Sequence, residues 1–495
     1  MVSFFSLLLV ITRFFWVGDL DFGGFCMAMK SEVLLFISIT IFLMGKLGAE
    51  QDRPNIIYLN ADDLGVMDVG FMGSKIYHTP NLDHLASEGM IFTNAYAPAA
   101  NCAPSRAACF SGQWASRTGV YTVGKSERGD ARDRMLIPTP NRLHLKDEVI
   151  TMAEEFKRAG YRTAQVGKWH LGKDPTTQGI DINIAGNTTG SPSSYFSPYK
   201  KPNLKDGPKG EYLTDRLTDE AIQILEKFKE DPFFLYFPFY SIHTPLQGRP
   251  DLKKKYASRG NQLSDYAAMV ECLDENIGRL LSVLDELGLA ENTMILFSSD
   301  NGGIRKLSNQ DPWRAGKGSY YEGGIRVPLT IRWPDVVKAG STCSVPVTGL
   351  DFYPTFLGVI GASASPGKVM DGNRLLPLLT QKGKFPKNRS LYWHFPIYLQ
   401  NYAGEEDQSR DAKFRTRPGS VIRKGKWKLH EYFEDGALLL FDLEKDLGET
   451  TNLAAAKPKK LAELKKDLYA WRKRVNAPVP TKRNPRYVAS PIKTR

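Results

Sequence analysis

A cysteine followed after one spacer by proline, serine and arginine stands in a run of small residues, Asn101-Cys102-Ala103-Pro104-Ser105-Arg106-Ala107-Ala108-Cys109-Phe110-Ser111-Gly112. Proline is favoured in a helix's first turn, where its missing N–H forgoes no bond. Pro104 therefore predicts a helix start with Cys102 just before it. Free N–H groups and the positive end of the helix dipole make such a place receptive to an anion. Arg106 adds a fixed cation whose planar fork suits sulfate or phosphate oxygens. A lone cysteine is more often a small core hydrophobe, but the Pro-Ser-Arg context favours chemistry.

Carboxylates follow a second pattern. The apolar run Asn55–Ala61 reads as a buried strand and delivers Asp62 and Asp63 at its end. Adjacent carboxylates there repel unless a cation neutralises them, although a turn with an N-cap Asp would use the same residues. Far along the chain, Thr293–Ser299 is a matching strand that ends in Asp300-Asn301. Sites in open α/β sheets gather at the carboxyl ends of strands. Asp62, Asp63, Asp300 and Asn301 could thus serve one hard cation. Calcium accepts such oxygens readily and magnesium demands a tighter octahedron. Zinc suits a chain richer in histidine ligands.

Three more segments carry candidate groups. After an amphipathic helix at about 149–159, Gly160–Gly172 reads as a strand entering a glycine-bounded loop with Lys168 and His170. Two residues apart on an extended segment, both side chains would point the same way. A packed histidine and a surface lysine would also fit that segment alone. The strand Phe233–Phe239 leads to His243, and Arg314–Pro328 contains Gly316-Lys317. The last is no P-loop, because Gly318 replaces the required Ser or Thr and Asp311 stands at the first glycine's position.

In this order, over residues 55–330, the segments resemble the type I sulfatases of the alkaline phosphatase superfamily. The Cys102 stretch is similar to that family's maturation motif, in which the cysteine becomes formylglycine. Phe110, Ser111 and Gly112 stand where the pattern has Leu or Met, Thr and Gly. Gly160–Gly172 resembles the second family signature. The resemblance implies Ca²⁺ held by Asp62, Asp63, residue 102, Asp300 and Asn301. It implies a hydrated aldehyde at residue 102, one hydroxyl attacking sulfur and the other then expelling sulfate, so that covalent catalysis splits one hard step into two. His170 is implied as the base for the second step, with His243 and Lys317 at the leaving oxygen. Lys168 would steady the anion, and Arg106 would orient the hydrate and help hold the metal site.

The partners implied are a formylglycine-generating maturation enzyme and a sulfated carbohydrate. The carbohydrate expectation rests on export, a basic balance and aromatic loops. Trp393-His394-Phe395-Pro396 and Tyr398 could supply sugar-stacking walls, although such aromatics are as often core. The rivals are a phosphate or phosphonate ester hydrolase of the same superfamily, and an inactive protein that binds sulfated glycans. Two-zinc phosphatases need several histidines, whereas only His170 and His243 fall in the candidate site.

The elements that must position these groups follow from the whole chain. Its 495 residues suffice for a large core and more than one structural unit. The expected fold is α/β: a large mixed β-sheet sandwiched by helices, with a smaller C-terminal antiparallel sheet plus helix. The expected divisions are a signal region at 1–49, a catalytic domain at 50–384, a C-terminal α+β subdomain at 385–478 and a basic tail at 479–495. Strands are expected at Ser420–Arg423, Trp427–Tyr432 and Leu438–Leu443, and a helix at Lys459–Val475.

Two apolar stretches, Phe4–Trp16 and Val33–Met44, precede residue 50. The second follows Met29-Lys30 and ends near Gly48-Ala49, like a secretory signal, and is too short for a stable membrane span. The translation start is accordingly placed at Met27 or Met29, and the protein is expected to be periplasmic or secreted. The chain carries a net charge of +12. Residues 1–49 contribute three basic and three acidic groups, so their removal leaves it unchanged. That balance suits anionic partners, but no interleaved basic–aromatic tract points to nucleic acid. Five cysteines without framework spacing suggest no disulfide scaffold.

Overall fold

Strand β1, Asn55–Ala61, is buried along its whole length at the middle of an eight-stranded mixed sheet. The computed structural model describes residues 53–386, 388–402 and 408–489. The expected signal region and the end of the basic tail lie outside the described residues. The other strands of the large sheet are β2 Met90–Phe92, β3 Arg162–Val166, β4 Ile182–Ile184, β5 Phe233–Pro238, β6 Thr293–Ser299, β7 Leu329–Arg332 and β8 Ser341–Cys343. Their order is β4-β3-β5-β1-β6-β7-β2-β8. β1 runs parallel to β5 and β6, and β7 runs antiparallel to β6.

Continuous apolar runs in the central strands require cover on both faces. Alternation divides their side chains between two clusters. Ile57, Leu59, Phe233, Leu235, Phe237 and Phe297 pack with residues of α1 Pro80–Ser87, α4 Leu213–Phe228 and α5 Asn261–Glu286. Ile56, Tyr58, Phe234, Tyr236 and Leu296 pack with α2 Cys102–Ser111, α3 Met152–Arg158 and α6 Phe352–Val359. The result is a helix–sheet–helix sandwich.

The local starts of α2 and α3 differ from expectation for identifiable reasons. α3 begins at Met152 because Thr151 caps it: its hydroxyl accepts from the Glu154 N–H (3.2 Å), and the Glu154 carboxylate accepts from the Thr151 N–H (2.7 Å). Such reciprocal caps are worth about 1 kcal/mol. α2 begins at Cys102 itself, with Asn101 as its cap, and ends at Gly112 in the left-handed conformation. Pro104 is the third helical residue, still within the first turn, where no N–H partner exists to lose.

Strands β9 Ser390–Phe395, β10 Gly419–Lys424, β11 Trp427–Tyr432 and β12 Leu438–Asp442 form an antiparallel sheet in that order. Helix α7, Pro458–Arg474, covers one face, where Leu464, Leu468 and Trp471 meet Ile422, Leu429 and Leu440. The opposite face buries Trp393, Phe395 and Val421 against Tyr96, Ala100 and Ile325. Trp393 also donates its indole N–H to the Ala97 carbonyl (2.9 Å). Trp393, His394, Phe395, Pro396 and Tyr398 are all buried, so of the two readings open for this stretch the structure takes core, not sugar-stacking wall. Among the described residues, no helix is long and apolar enough to cross a membrane.

Candidate active site

The carboxyl ends of β1 and β6 bring the four predicted oxygen donors together. Asp62, Asp63, Asp300 and Asn301 are all buried there. The Asp300 N–H donates to the Ala61 carbonyl (3.1 Å), and the Asn301 amide donates to Asp63 Oδ1 (2.8 Å). Cys102 opens α2 beside them: Cys102, Asp62 and Asp300 offer ligand atoms within 4.8 Å of one another.

Each carboxylate has a buried cation. Arg106 donates Nε to Asp300 Oδ2 (2.8 Å), and its Nη1 reaches the Lys168 carbonyl (3.1 Å) and the Tyr236 hydroxyl (3.2 Å). Lys168 pairs with Asp62 at 2.6 Å and Lys317 with Asp63 at 2.7 Å. Arg106 is thereby committed to holding Asp300. Lys168 and Lys317 keep further donors for an incoming anion, since an ammonium has three.

Local backbone geometry sets these positions. Gly167, at φ +112°, brings its Cα so near β5 that a Cβ would lie 2.1 Å from the Pro238 carbonyl oxygen; only glycine fits. Lys168 then donates its N–H to that same oxygen at 2.8 Å. His170 follows at φ 62°. Lys168 and His170 therefore share a loop beyond β3, and the extended-segment expectation does not describe them. The loop carrying His243 is clipped to β1, as Asp62 donates to the Ser241 carbonyl (2.9 Å) and Ile242 donates to the Asp62 carbonyl (2.8 Å).

Burial and neighbouring charge set the protonation states. Burial pushes Asp62 up to about 8, against the pull of Lys168. Burial also opposes ionisation of Asp63, but Lys317 and then His243 outweigh it and hold that carboxyl below its usual range. The Cys102 thiol is raised by burial, with Lys168 and Lys317 offsetting only part. A protonated thiol is a weak nucleophile. Burial, then Lys168, keeps His170 neutral, and its Nδ1 has no hydrogen-bond partner among the described residues. His243 is lowered to about 3 by burial and then by Lys317. Its Nδ1 donates to the Thr244 carbonyl (2.7 Å), leaving Nε2 3.7 Å from Asp63 Oδ2.

The donor set fits a hard divalent cation. Asp62 Oδ1 and Asn301 Oδ1 are buried without any hydrogen-bond donor among the described residues, which is costly unless something else satisfies them. They stand among further carboxylate oxygens, the chemistry that Ca²⁺ and Mg²⁺ prefer. The sequence reading missed Tyr236, which looked like one more apolar strand residue; its hydroxyl accepts from Asn60 Nδ2 (3.3 Å) as well as from Arg106. It also missed Arg415, which fixes the Lys317 carbonyl through Nη1 (2.9 Å). No spacing rule links residues so far apart.

A family model for sulfatases matches residues 54–362. The chain belongs to the sulfatase family. A second model, the C-terminal region of N-sulphoglucosamine sulphohydrolase, matches residues 315–474 of this sulfatase. It is 34% identical to a sulfatase of Formosa agariphila, covering 91% of this chain and 96% of that one. It is 32% identical to N-acetylgalactosamine-6-sulfatase of Rattus norvegicus, over 72% of this chain and 71% of the relative. The solved structure of Ps i-CgsB in complex with k-i-k-neocarrahexaose superposes with a TM-score of 0.70 at 30% identity, covering 85% of this chain and 92% of that one. The protein is a sulfuric ester hydrolase, and its fold is that of the alkaline phosphatase superfamily.

Proposed function

We propose that this sulfatase removes sulfate from sulfated poly- or oligosaccharides, using residue 102 after its conversion to formylglycine by a maturation enzyme. The observation that carries the reading is Cys102, buried at the start of α2 with its ligand atom within 4.8 Å of those of Asp62 and Asp300. A thiol there would form a sulfur adduct that does not release sulfate readily, whereas a hydrated aldehyde offers an oxygen nucleophile and a second hydroxyl to expel the sulfate. The carbohydrate substrate is supported by the relatives named for, or solved with, sulfated or glycan ligands. Export to the periplasm or exterior is part of the proposal, supported by the Val33–Met44 stretch.

Asp62, Asp63, Asp300 and Asn301, with residue 102, would hold Ca²⁺. The ion would supply Lewis-acid polarisation of a sulfate oxygen and favour ionisation of the nucleophile. The chain's own groups do the rest. Lys168 and Lys317 bind the sulfate oxygens and stabilise the charge that develops on them. His170, neutral and with an unbonded Nδ1, accepts a proton at residue 102. His243 and Lys317 attend the leaving oxygen, with the Lys317 ammonium as proton donor. Arg106 positions Asp300.

The test is the mass of the peptide carrying residue 102, from protein made in its native host. Loss of the thiol mass in favour of an aldehyde is expected, together with a folded Cys102→Ala variant lacking activity. An unmodified thiol in active enzyme, or wild-type rates in Cys102→Ala, overturns the mechanism. The N-terminal peptide of the same digest reports whether the leader is removed.

A further inference from the structure

Beyond the four oxygen donors and their cations, two guanidinium groups beside the site lack carboxylate partners among the described residues. Arg415 is 8% exposed. Its Nε donates to the Gln400 carbonyl (3.1 Å) and its Nη1 to the Lys317 carbonyl (2.9 Å), while its guanidinium lies 3.8 Å from the centre of the Tyr402 ring. A buried cation satisfied only by carbonyls and an aromatic face keeps its full charge available.

Arg128 is the second group. Its neighbour Gly129 packs so closely on Phe414 and Gln400 that a Cβ there would meet both side chains. Glu127, on its other side, bridges to Tyr398. The backbone at Arg128 therefore runs alongside Tyr398–Gln400, next to the short ladder Leu399–Gln400 with Phe414–Thr416 that also carries Arg415. Burial, then repulsion from Arg415, holds Arg128 below its ordinary value, and Tyr402 and Cys102 are its other electrostatic neighbours. An anion between the two arginines would relieve that repulsion.

Tyr402 also lines a cavity of about 390 Å³ with Thr244, Pro245, Leu246, Gln262 and Ile304. Thr244 directly follows His243, so the cavity begins at the leaving-group side of the site. Its walls combine apolar side chains and amide groups with Lys306 and with Asp265, whose carboxylate is paired with Lys253 (2.9 Å), a lining that suits a sugar ring.

Resting on the proposed carbohydrate substrate, we infer that Arg128 and Arg415, with Tyr402, form a subsite that recognises a second anionic group on the substrate, a sulfate or a carboxylate, beside the sulfate that is cleaved. The two guanidiniums, without carboxylate partners among the described residues, are matched to planar or tetrahedral oxyanions by their fork geometry. Arg415 is a positioning residue as well, through Lys317, so the diagnostic variant is Arg128→Gln.

The experiment compares wild type and Arg128→Gln on four sulfate esters: an aryl sulfate, a monosulfated neutral oligosaccharide, a disulfated one and a monosulfated one containing a uronate. The inference expects kcat/KM to fall tenfold or more, mainly through KM, on the disulfated or uronate substrate, while the aryl and monosulfated substrates are unchanged. A loss confined to the disulfated arm assigns sulfate as the second anion; a loss confined to the uronate arm assigns carboxylate. Equal effects on all carbohydrates, or none, overturn the subsite and leave the carbohydrate reading standing. Turnover of aryl sulfate alone overturns both.

Discussion

His170 and His243 are indistinguishable as letters, yet the fold prepares them differently. His243 has its Nδ1 tied to the Thr244 carbonyl, whereas the Nδ1 of His170 has no partner among the described residues. An imidazole that is neutral and unbonded can take a proton without first breaking a bond, which suits a general base. His170→Ala should therefore lower kcat by about 10²–10⁴-fold. Rapid-quench assays should show one equivalent of alcohol released, with sulfate release slowed. Simultaneous release of alcohol and sulfate at the wild-type rate would remove His170 from the second step. The identities of these residues were legible in the sequence because their short motifs match a family pattern. Their pairings were not: the contacts of Lys168 with Asp62 and of Lys317 with Asp63 join positions more than a hundred residues apart, and only the sheet order decides which ends meet.

At the scale of elements, β1 and β6 were legible to the residue because each holds a run of four apolar residues, Ile56–Leu59 and Met294–Phe297, between short polar ends, and the strand ends fixed where the acids would lie. The Trp393–Tyr398 stretch stayed open between two uses, since aromatic residues serve a sugar site and a sheet core equally well and composition cannot separate them. His394 shows the structural use. Its Nε2 donates to the Pro478 carbonyl (2.8 Å) and its Nδ1 accepts from the Ser420 hydroxyl (2.8 Å). Burial lowers it to about 3, so the folded ring stays neutral where the unfolded one gains a proton. Below the unfolded value near 6.5 the unfolded state binds more protons, and stability is lost as pH falls. Between about pH 6.5 and 5 this amounts to about 2 kcal/mol, at roughly 1.4 kcal/mol per pH unit. Urea midpoints across that range should fall for the wild type and less steeply for His394→Gln; parallel slopes would show that His394 does not cause the loss.

For the whole molecule, the second sheet is part of what holds the site. Lys428 on β11 reaches Glu322 and Glu449, each at 2.9 Å, with all three side chains at most 1% exposed. Glu322 lies five residues after Lys317, and its carboxylate also accepts from the Tyr96 hydroxyl (2.6 Å) and Arg326 (2.9 Å). The segment that aims Lys317 at Asp63 is thus anchored on the C-terminal sheet. The described residues from Pro54 onward form one compact unit. Removing one member of a buried ion-pair network leaves charge uncompensated and costs about 3–5 kcal/mol. Lys428→Met should lower the melting temperature while calorimetry still shows one transition, because neither sheet keeps its buried face without the other. Activity should disappear with that same transition. Two separate transitions, with activity surviving the first, would mean that the catalytic sheet stands alone and that the Glu322–Lys428–Glu449 network serves the C-terminal sheet only.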